Sequence, residues 1–308
     1  MDNKKIRIGI IAEYNPFHNG HIYQINEIKK RWPNSKIIVS MSGKYVQRGQ
    51  LAITTFEQRK KIALENGVDE VYELSFEYAT QAAHIFAEGA IKQLNKHKID
   101  LLVFGSETNR IDDFYLIAKA IKDNEKYYYE LIRSKMKEGI SFPKANQLVL
   151  EKLINKSFIL PNDILGLEYV KAIVNNNFQI EAHCIKRVVD FNSDKIIDNI
   201  TSATNIRKMI FAQDNSYKKY TPMIFESIPD KIENYYKDFQ KIVINSSNEE
   251  LKQIKLISEG MENLFKKHID AKTYEDFVNR TNSKRYTSSR IQRAMLYVLL
   301  QIKKEENI

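Results

Sequence analysis

The sequence has a single cysteine, Cys184. That excludes an internal disulfide and any thiolate-rich zinc cluster, and it fits a reducing compartment. Long apolar runs are missing too: the best candidate, Ala294 to Ile302, is interrupted by Gln301 and falls well short of the ~20 apolar residues that span a bilayer. The N-terminal MDNKKIRIGIIAEYN puts charge before a short apolar run but offers no small-residue cleavage site, so the run reads as a first strand and not as a signal peptide. No internal repeat or low-complexity tract occurs. These absences predict a folded cytoplasmic protein with no membrane partner, and nothing in them calls for an obligate protein partner.

What is present is a chain of 308 residues, 43% hydrophobic, enough for a large core and one or two domains. The net charge of +9 favours polyanions such as RNA or nucleotides. A general lysine and asparagine bias would give the same number, so the charge alone does not decide.

The chain is organised around GIIAEYNPFHNGH. Ile6, Ile8, Ile10 and Ile11 with Gly9 and Ala12 have the pattern of a parallel strand buried on both faces. Asn15-Pro16 supplies a turn. From His18 to Lys30, Ile22, Ile25 and Ile28 recur on one side and Lys29, Lys30 and Arg31 follow, the pattern of an amphipathic helix with cations at its negative end. His18 and His21 therefore stand at a helix mouth, where free N–H groups attract anions, and Gly20 lets a phosphate or a base approach the backbone. Two imidazoles here suit charge that builds on the α-phosphate and leaving pyrophosphate of a triphosphate. A metal pair is the weaker reading, because two ligands are visible and no third stands at a supporting spacing. Ordinary surface histidines are the bland alternative.

Further strands are predicted at Lys36 to Met41, Val71 to Leu74, Leu101 to Phe104 and Phe178 to Ile185, with helices between them. The loop KYVQRGQL carries Lys44 and Arg48 at the sheet edge where ligands sit in open α/β folds. Thr54-Thr55 with Gln58 reads as a cap for a helix from Phe56 to Asn66, ended by Gly67. His84 reads as structural. Helix dominates from Asp112 to Asn175, broken at Phe142-Pro143 and before Asn162, whose amide suits a cap. The tyrosines of KYYYE (126–130) read as packing ahead of base stacking. Lys186-Arg187 ends the last strand, where it can meet a phosphate or be a solvated turn. Thr201-Ser202-Ala203-Thr204-Asn205-Ile206-Arg207 sets three hydroxyls and a guanidinium at a helix start: a phosphate clamp, or a plain cap with an incidental arginine. Beyond Asp214 strand signals nearly vanish, so a catalytic unit of residues 1–213 and a helical unit of 214–308 are expected. From Phe277 to Gln301 stand Arg280, Lys284, Arg285, Arg290 and Arg293 with no Asp or Glu, a composition suited to RNA backbones or to a solvated face.

HNGH after a first strand resembles the HxGH signature of nucleotidyltransferases. EYNPFHNGH, MSGKYVQRG, FGSE, PNDILGLEY, SATNIRK and KRYTSSRIQR, in that order over nearly the whole chain, resemble the bacterial tRNA(Met) cytidine acetate ligase family. The resemblance implies an α/β, Rossmann-like parallel sheet with a C-terminal helical domain. It implies a ligase that activates acetate with ATP and acetylates N4 of the wobble cytidine of elongator tRNA(Met). Mg²⁺ is expected with ATP, because magnesium typically binds through substrate phosphates, and no residue is assigned to a metal. The resemblance assigns His18 and His21 to catalysis. It assigns Ile11, Ala12, Glu13, Tyr14, Asn15, Pro16, Phe17, Gly20, Gly105, Asn162, Arg187, Ser202, Thr204 and Arg207, with the two histidines, to ATP. Lys44, Arg48, Lys284, Arg285, Arg290 and Arg293 are the expected tRNA contacts. The sequence ends soon after KRYTSSRIQR, where longer relatives continue. Two rivals share these features: an adenylyltransferase for another small acceptor, and a non-catalytic RNA-binding protein on the same fold.

Overall fold

The computed structural model of the protein describes residues 5–140, 142–155, 163–188, 195–283 and 285–304. Strands β1 (Arg7–Ala12), β2 (Lys36–Ser42), β3 (Glu70–Leu74), β4 (Leu101–Ser106) and β5 (Glu181–Lys186) form one sheet in the order β3-β2-β1-β4-β5. All four pairings are parallel, with Ile8 opposite Ile37 on one side and Leu101 on the other. Ile8 and Ile10 join Ile37 and Val39 in the core on one face, while Ile38 and Leu102 belong to the core on the other. Burial on both faces is why these strands read as continuous apolar runs.

Helices α1 (Asn19–Arg31) and α2 (Phe56–Glu65) cover the first face through Ile25, Ile28 and Ala63. The short α3 (Phe76–Ala79), absent from the sequence reading, leads into α4 (Ala83–Lys96), which covers the second face with α5 (Ile111–Asp123). A hairpin of α6 (Glu125–Lys137) and α7 (Phe142–Ile154) has its own small core against Ile117 and Ile121. In KYYYE, Tyr128 is buried and its hydroxyl bonds Asn146 at 2.7 Å, whereas Tyr127 and Tyr129 are exposed. Then come α8 (Ile164–Asn175), on the second face, and α9 (Ala203–Phe211), whose N-cap Ser202 accepts from the Asn205 N–H. His84 is exposed.

The helical unit comprises α10 (Tyr236–Asn245), α11 (Asn248–Gln253), α12 (Met261–Lys267), α13 (Tyr274–Thr281) and α14 (Ser288–Leu299) around one aromatic-rich core that begins at Ile232. The stretch between α9 and that core belongs to the first unit. Tyr217 and Tyr220 pack on Ile206 and Ile210, Met223 enters the β1 core, and Thr221 Oγ1 donates to the Phe17 carbonyl at 2.5 Å. Residues 217–225 therefore pack with the sheet side. The units are joined by Tyr297 of α14, whose hydroxyl lies 3.0 Å from Thr80 Oγ1 and accepts from Gln81 Nε2 at 3.1 Å.

In this strand order the chain reverses its winding between β1 and β4, and a crevice opens beyond the carboxyl ends of those strands. The HNGH segment lies at that crevice.

Candidate active site

The path from β1 into α1 is held from several sides. Tyr14 adopts a left-handed φ of 47°, and the Asn15–Pro16 bond is cis. Asn15 Oδ1 accepts from the Ile53 N–H at 2.7 Å, and the Asn15 carbonyl accepts from Arg207 Nη1 at 2.6 Å. Phe17 is fully buried with its ring edge-on to Tyr14 at 4.8 Å. The chain can then start α1 only at one place, and the histidines themselves close its end. His18 is the N-cap, one residue outside the helix where the sequence placed it, with Nδ1 accepting from the Gly20 N–H at 3.0 Å. His21 Nδ1 accepts from the His18 N–H at 3.1 Å. This reciprocal pair is a capping box built from imidazoles.

That geometry fixes the chemistry. Each Nδ1 is an acceptor, so each neutral ring carries its proton on Nε2, the remaining nitrogen available to the cleft that both rings line. The rings stack at 3.7 Å. Burial, then the Arg187 and Arg207 charges, push His18 down to about 3, and burial, then His18 and Arg187, hold His21 well below the ordinary imidazole range. Both are neutral donors at physiological pH, free to stabilise phosphate charge without being charged beforehand.

The cleft has a volume of about 1110 Å³, ample for a nucleotide. Of the residues assigned to ATP, Ile11, Ala12, Glu13, Tyr14, Asn15, His18, Gly20, His21, Gly105, Arg187, Ser202, Thr204 and Arg207 line it together. Pro16 and Phe17 do not. Both are buried in the turn, where Phe17 packs as a core side chain. Asn162 lies outside the described residues. Arg187 Nε bonds the Gly105 carbonyl at 3.2 Å, which clasps the ends of β4 and β5. In the hydroxyl motif, Ser202 caps α9, and Arg207 bonds both the Asn15 carbonyl and, at 3.3 Å, Thr204 Oγ1. The Ser202 cap is therefore present, and Arg207 and Thr204 stand beside it in the cleft lining.

The expected tRNA contacts stand in different surroundings. Lys44 is exposed beside the inter-unit seam, outside the cleft, and Arg48 is exposed at the cleft's lining. Arg285 and Arg290 share one carboxylate, Glu259, at 3.4 and 3.2 Å, and both lie over the Tyr286 ring. Arg280 pairs with Asp270 and Asp276. The acid-free run is therefore partly neutralised by acids that precede it, Asp276 and Asp270 nearby and Glu259 farther off in sequence. Arg293 is not a surface residue: it is 9% exposed and lines the cleft. Lys284 lies outside the described residues.

Sequence reasoning missed Arg59. Fully buried in α2, its guanidinium donates to the carbonyls of Glu13, Ser42, Gly43 and, at 3.4 Å, Thr55. It also missed Asp163, which accepts from Ser106 Oγ at 2.6 Å and from the Glu107 N–H at 2.9 Å, shaping the turn after β4. A lone arginine in a polar helix and an acid at a helix start carry no signal of such partners. The loop between β2 and α2 is tied to Glu13, whose Oε1 accepts from the Gln47 N–H at 2.8 Å. Gly49 of this loop has φ +77° and lies against α14, so a Cβ there would stand 2.9 Å from Arg293 Cα. Gly49→Ala is expected to destabilise the protein by about 1–3 kcal/mol, read in urea titration; an unchanged midpoint would show that loop and helix separate easily.

A sequence profile described as HIGH Nucleotidyl Transferase matches residues 6–307. The chain is 58% identical to the tRNA(Met) cytidine acetate ligase of Mycoplasma mobile, over 96% of this chain and 99% of that protein. The chain belongs to the tRNA(Met) cytidine acetate ligase family. Another member, from Mycoplasmopsis pulmonis, is also 58% identical over 96% of this chain and 99% of its own length. A crystal structure of Thermotoga maritima TmcAL bound with alpha-thio ATP superposes with a TM-score of 0.85 at 30% identity, covering 97% of this chain and 76% of that one. Family membership and the superposition agree with the parallel sheet and appended helices described above.

Proposed function

We propose that this protein joins acetate to N4 of a tRNA wobble cytidine, that of elongator tRNA(Met), at the expense of ATP. The observation that carries the reading is the pair of stacked, neutral imidazoles presenting Nε2–H to a cleft that also holds Arg187, Ser202 and Arg207. In a first step an acetate oxygen attacks the α-phosphorus, the bond to the bridging oxygen of pyrophosphate breaks, and acetyl-adenylate forms. His18 and His21 donate to the oxygens on which charge builds. In the second step the cytidine N4 lone pair attacks the acetyl carbonyl, AMP leaves, and N4 gives up a proton. The rival adenylyltransferase and the non-catalytic RNA-binder share the fold, but neither accounts for high identity to acetate ligases over the whole chain.

Mg²⁺ belongs to the reading as an ion that arrives on the triphosphate. Among the described residues no group of three or more His, Cys, Asp or Glu side chains is placed to hold a metal. Lys44, Arg48, Arg285 and Arg290 are the tRNA side of the proposal. Arg285 and Arg290 together bring one net charge once Glu259 is counted. No helix of the described residues is long and apolar enough to cross a membrane, and a tRNA substrate places the enzyme in the cytoplasm.

The test is to incubate the protein with labelled acetate, ATP and elongator tRNA(Met), digest the RNA and look for N4-acetylcytidine. Label in that nucleoside, absent when the wobble cytidine is replaced by uridine, supports the reading. Adenylate formation with no transfer to any tRNA would favour the small-acceptor rival.

A further inference from the structure

Arg293 lines the cleft without a part in either of the two steps just described. It comes from the helical unit, is nine-tenths buried, and shares the cleft with the histidines. Among the described residues its guanidinium makes no hydrogen bond and no ion pair, although a buried cation is ordinarily paired. The same helix also gives the cleft lining Thr287 and Ser289, its N-cap and an early residue one turn before Arg293, and the Thr287 side chain caps nothing. Hydroxyls, uncapped N–H groups at the start of a 12-residue helix and an unpartnered guanidinium are the components of a phosphate site.

Three acids, Glu13, Glu107 and Asp163, line the cleft with Arg293, and none of them is paired with it: Glu13 accepts from the Gln47 N–H, and Asp163 from Ser106 Oγ and the Glu107 N–H. Burial and then the Arg290 charge depress Arg293, whereas Arg207 is depressed by burial, partly supported by Glu13, and depressed further by Arg48. A polyanion in the cleft would offset the cost at Arg293, where no acid does so.

We propose that Arg293, with Thr287 and Ser289, is a phosphate arm that the helical unit contributes to the cleft, and that it holds the β,γ end of the ATP triphosphate. The inference rests on the reading of the cleft as an ATP site. It gives the helical unit a part in adenylation as well as in RNA binding, and it makes Arg293 a binding residue for pyrophosphate both as part of ATP and as leaving group.

The experiment is calorimetric titration of ATP, pyrophosphate and AMP, without acetate, into wild type, Arg293→Gln, Arg293→Lys and Ser289→Ala. Loss of one or two charge-assisted hydrogen bonds should weaken ATP and pyrophosphate by roughly 10- to 100-fold in Arg293→Gln, and AMP by less than about twofold. Arg293→Lys should recover part of the loss. Ser289→Ala, at a partly exposed position, should show a smaller loss with the same selectivity, so the arm is tested even where Arg293→Gln does not fold. Equal weakening of ATP and AMP would make Arg293 a structural residue and overturn the arm. Normal ATP binding with lost transfer to tRNA would also overturn it and give the site to an RNA phosphate. A wild type that binds none of the three ligands would end the ATP reading itself, and the arm with it.

Discussion

Replacing His21 by alanine is expected to slow acetate-dependent adenylate formation by about 100- to 1,000-fold, the usual cost of one preorganised donor to developing charge. The fold should survive at reduced stability, because His21 also serves the helix: its Nδ1 accepts the His18 N–H and closes the cap of α1. Loss of a cap costs about 0.5–2 kcal/mol, so rate and stability must be measured on the same preparation. The pH dependence is part of the same prediction. His18 is held down to about 3 and His21 well below its ordinary value, so the kcat/KM of the free enzyme should show no imidazole inflection near 6.5. Stability should behave differently. Below ~6.5 the unfolded chain binds protons at these positions and the native state does not, so stability falls as pH drops from ~6.5 toward 3. His21→Ala should flatten that slope. A rate within threefold of wild type in the folded variant would remove His21 from the chemistry.

The second large effect is expected at a residue outside the cleft's lining. Arg59→Met keeps much of the side-chain volume but removes the donors that serve the Glu13, Ser42, Gly43 and Thr55 carbonyls. These carbonyls end β1 and β2 and begin the loop and helix beyond, so Arg59 is a pin through the floor of the site. Burial pushes it down to about 10, which still leaves it cationic at neutral pH. Each buried carbonyl stripped of a donor costs ~1–3 kcal/mol, and the loss is expected to total about 3–5 kcal/mol, with a raised KM for ATP as Glu13 shifts. Chemical denaturation and steady-state kinetics read the two effects. Arg59→Lys reaches fewer of the carbonyls and should restore part of both. A Met variant as stable as wild type would mean that water replaces the guanidinium at little cost.

How far the sequence carried the fold can be judged residue by residue. The five strands and the first helix were visible because Ile8, Ile10, Ile25 and Ile28 face real cores, and a two-sided sheet leaves an uninterrupted apolar run. The histidines were visible because strand, turn and helix surround them. What stayed hidden depends on contacts between distant segments. Glu259 stands 26 and 31 residues before the arginines it neutralises, so the basic run looked stronger than it is. Arg293 reads as one more cation on a helix face until the Gly49 loop is laid over that helix. In residues 214–225, where strand signals fade, nothing in the sequence shows that Tyr217, Tyr220 and Met223 fill gaps beside the sheet. In each case local pattern gives the element, and only packing gives the neighbour.

Activation of acetate by ATP at the paired histidines is tested most directly by ATP–pyrophosphate exchange, with and without acetate and in the absence of tRNA. Exchange is expected to require acetate, to proceed without RNA, and to collapse in His21→Ala. Exchange that is indifferent to acetate, or that persists undiminished in the folded His21 variant, would contradict the assignment.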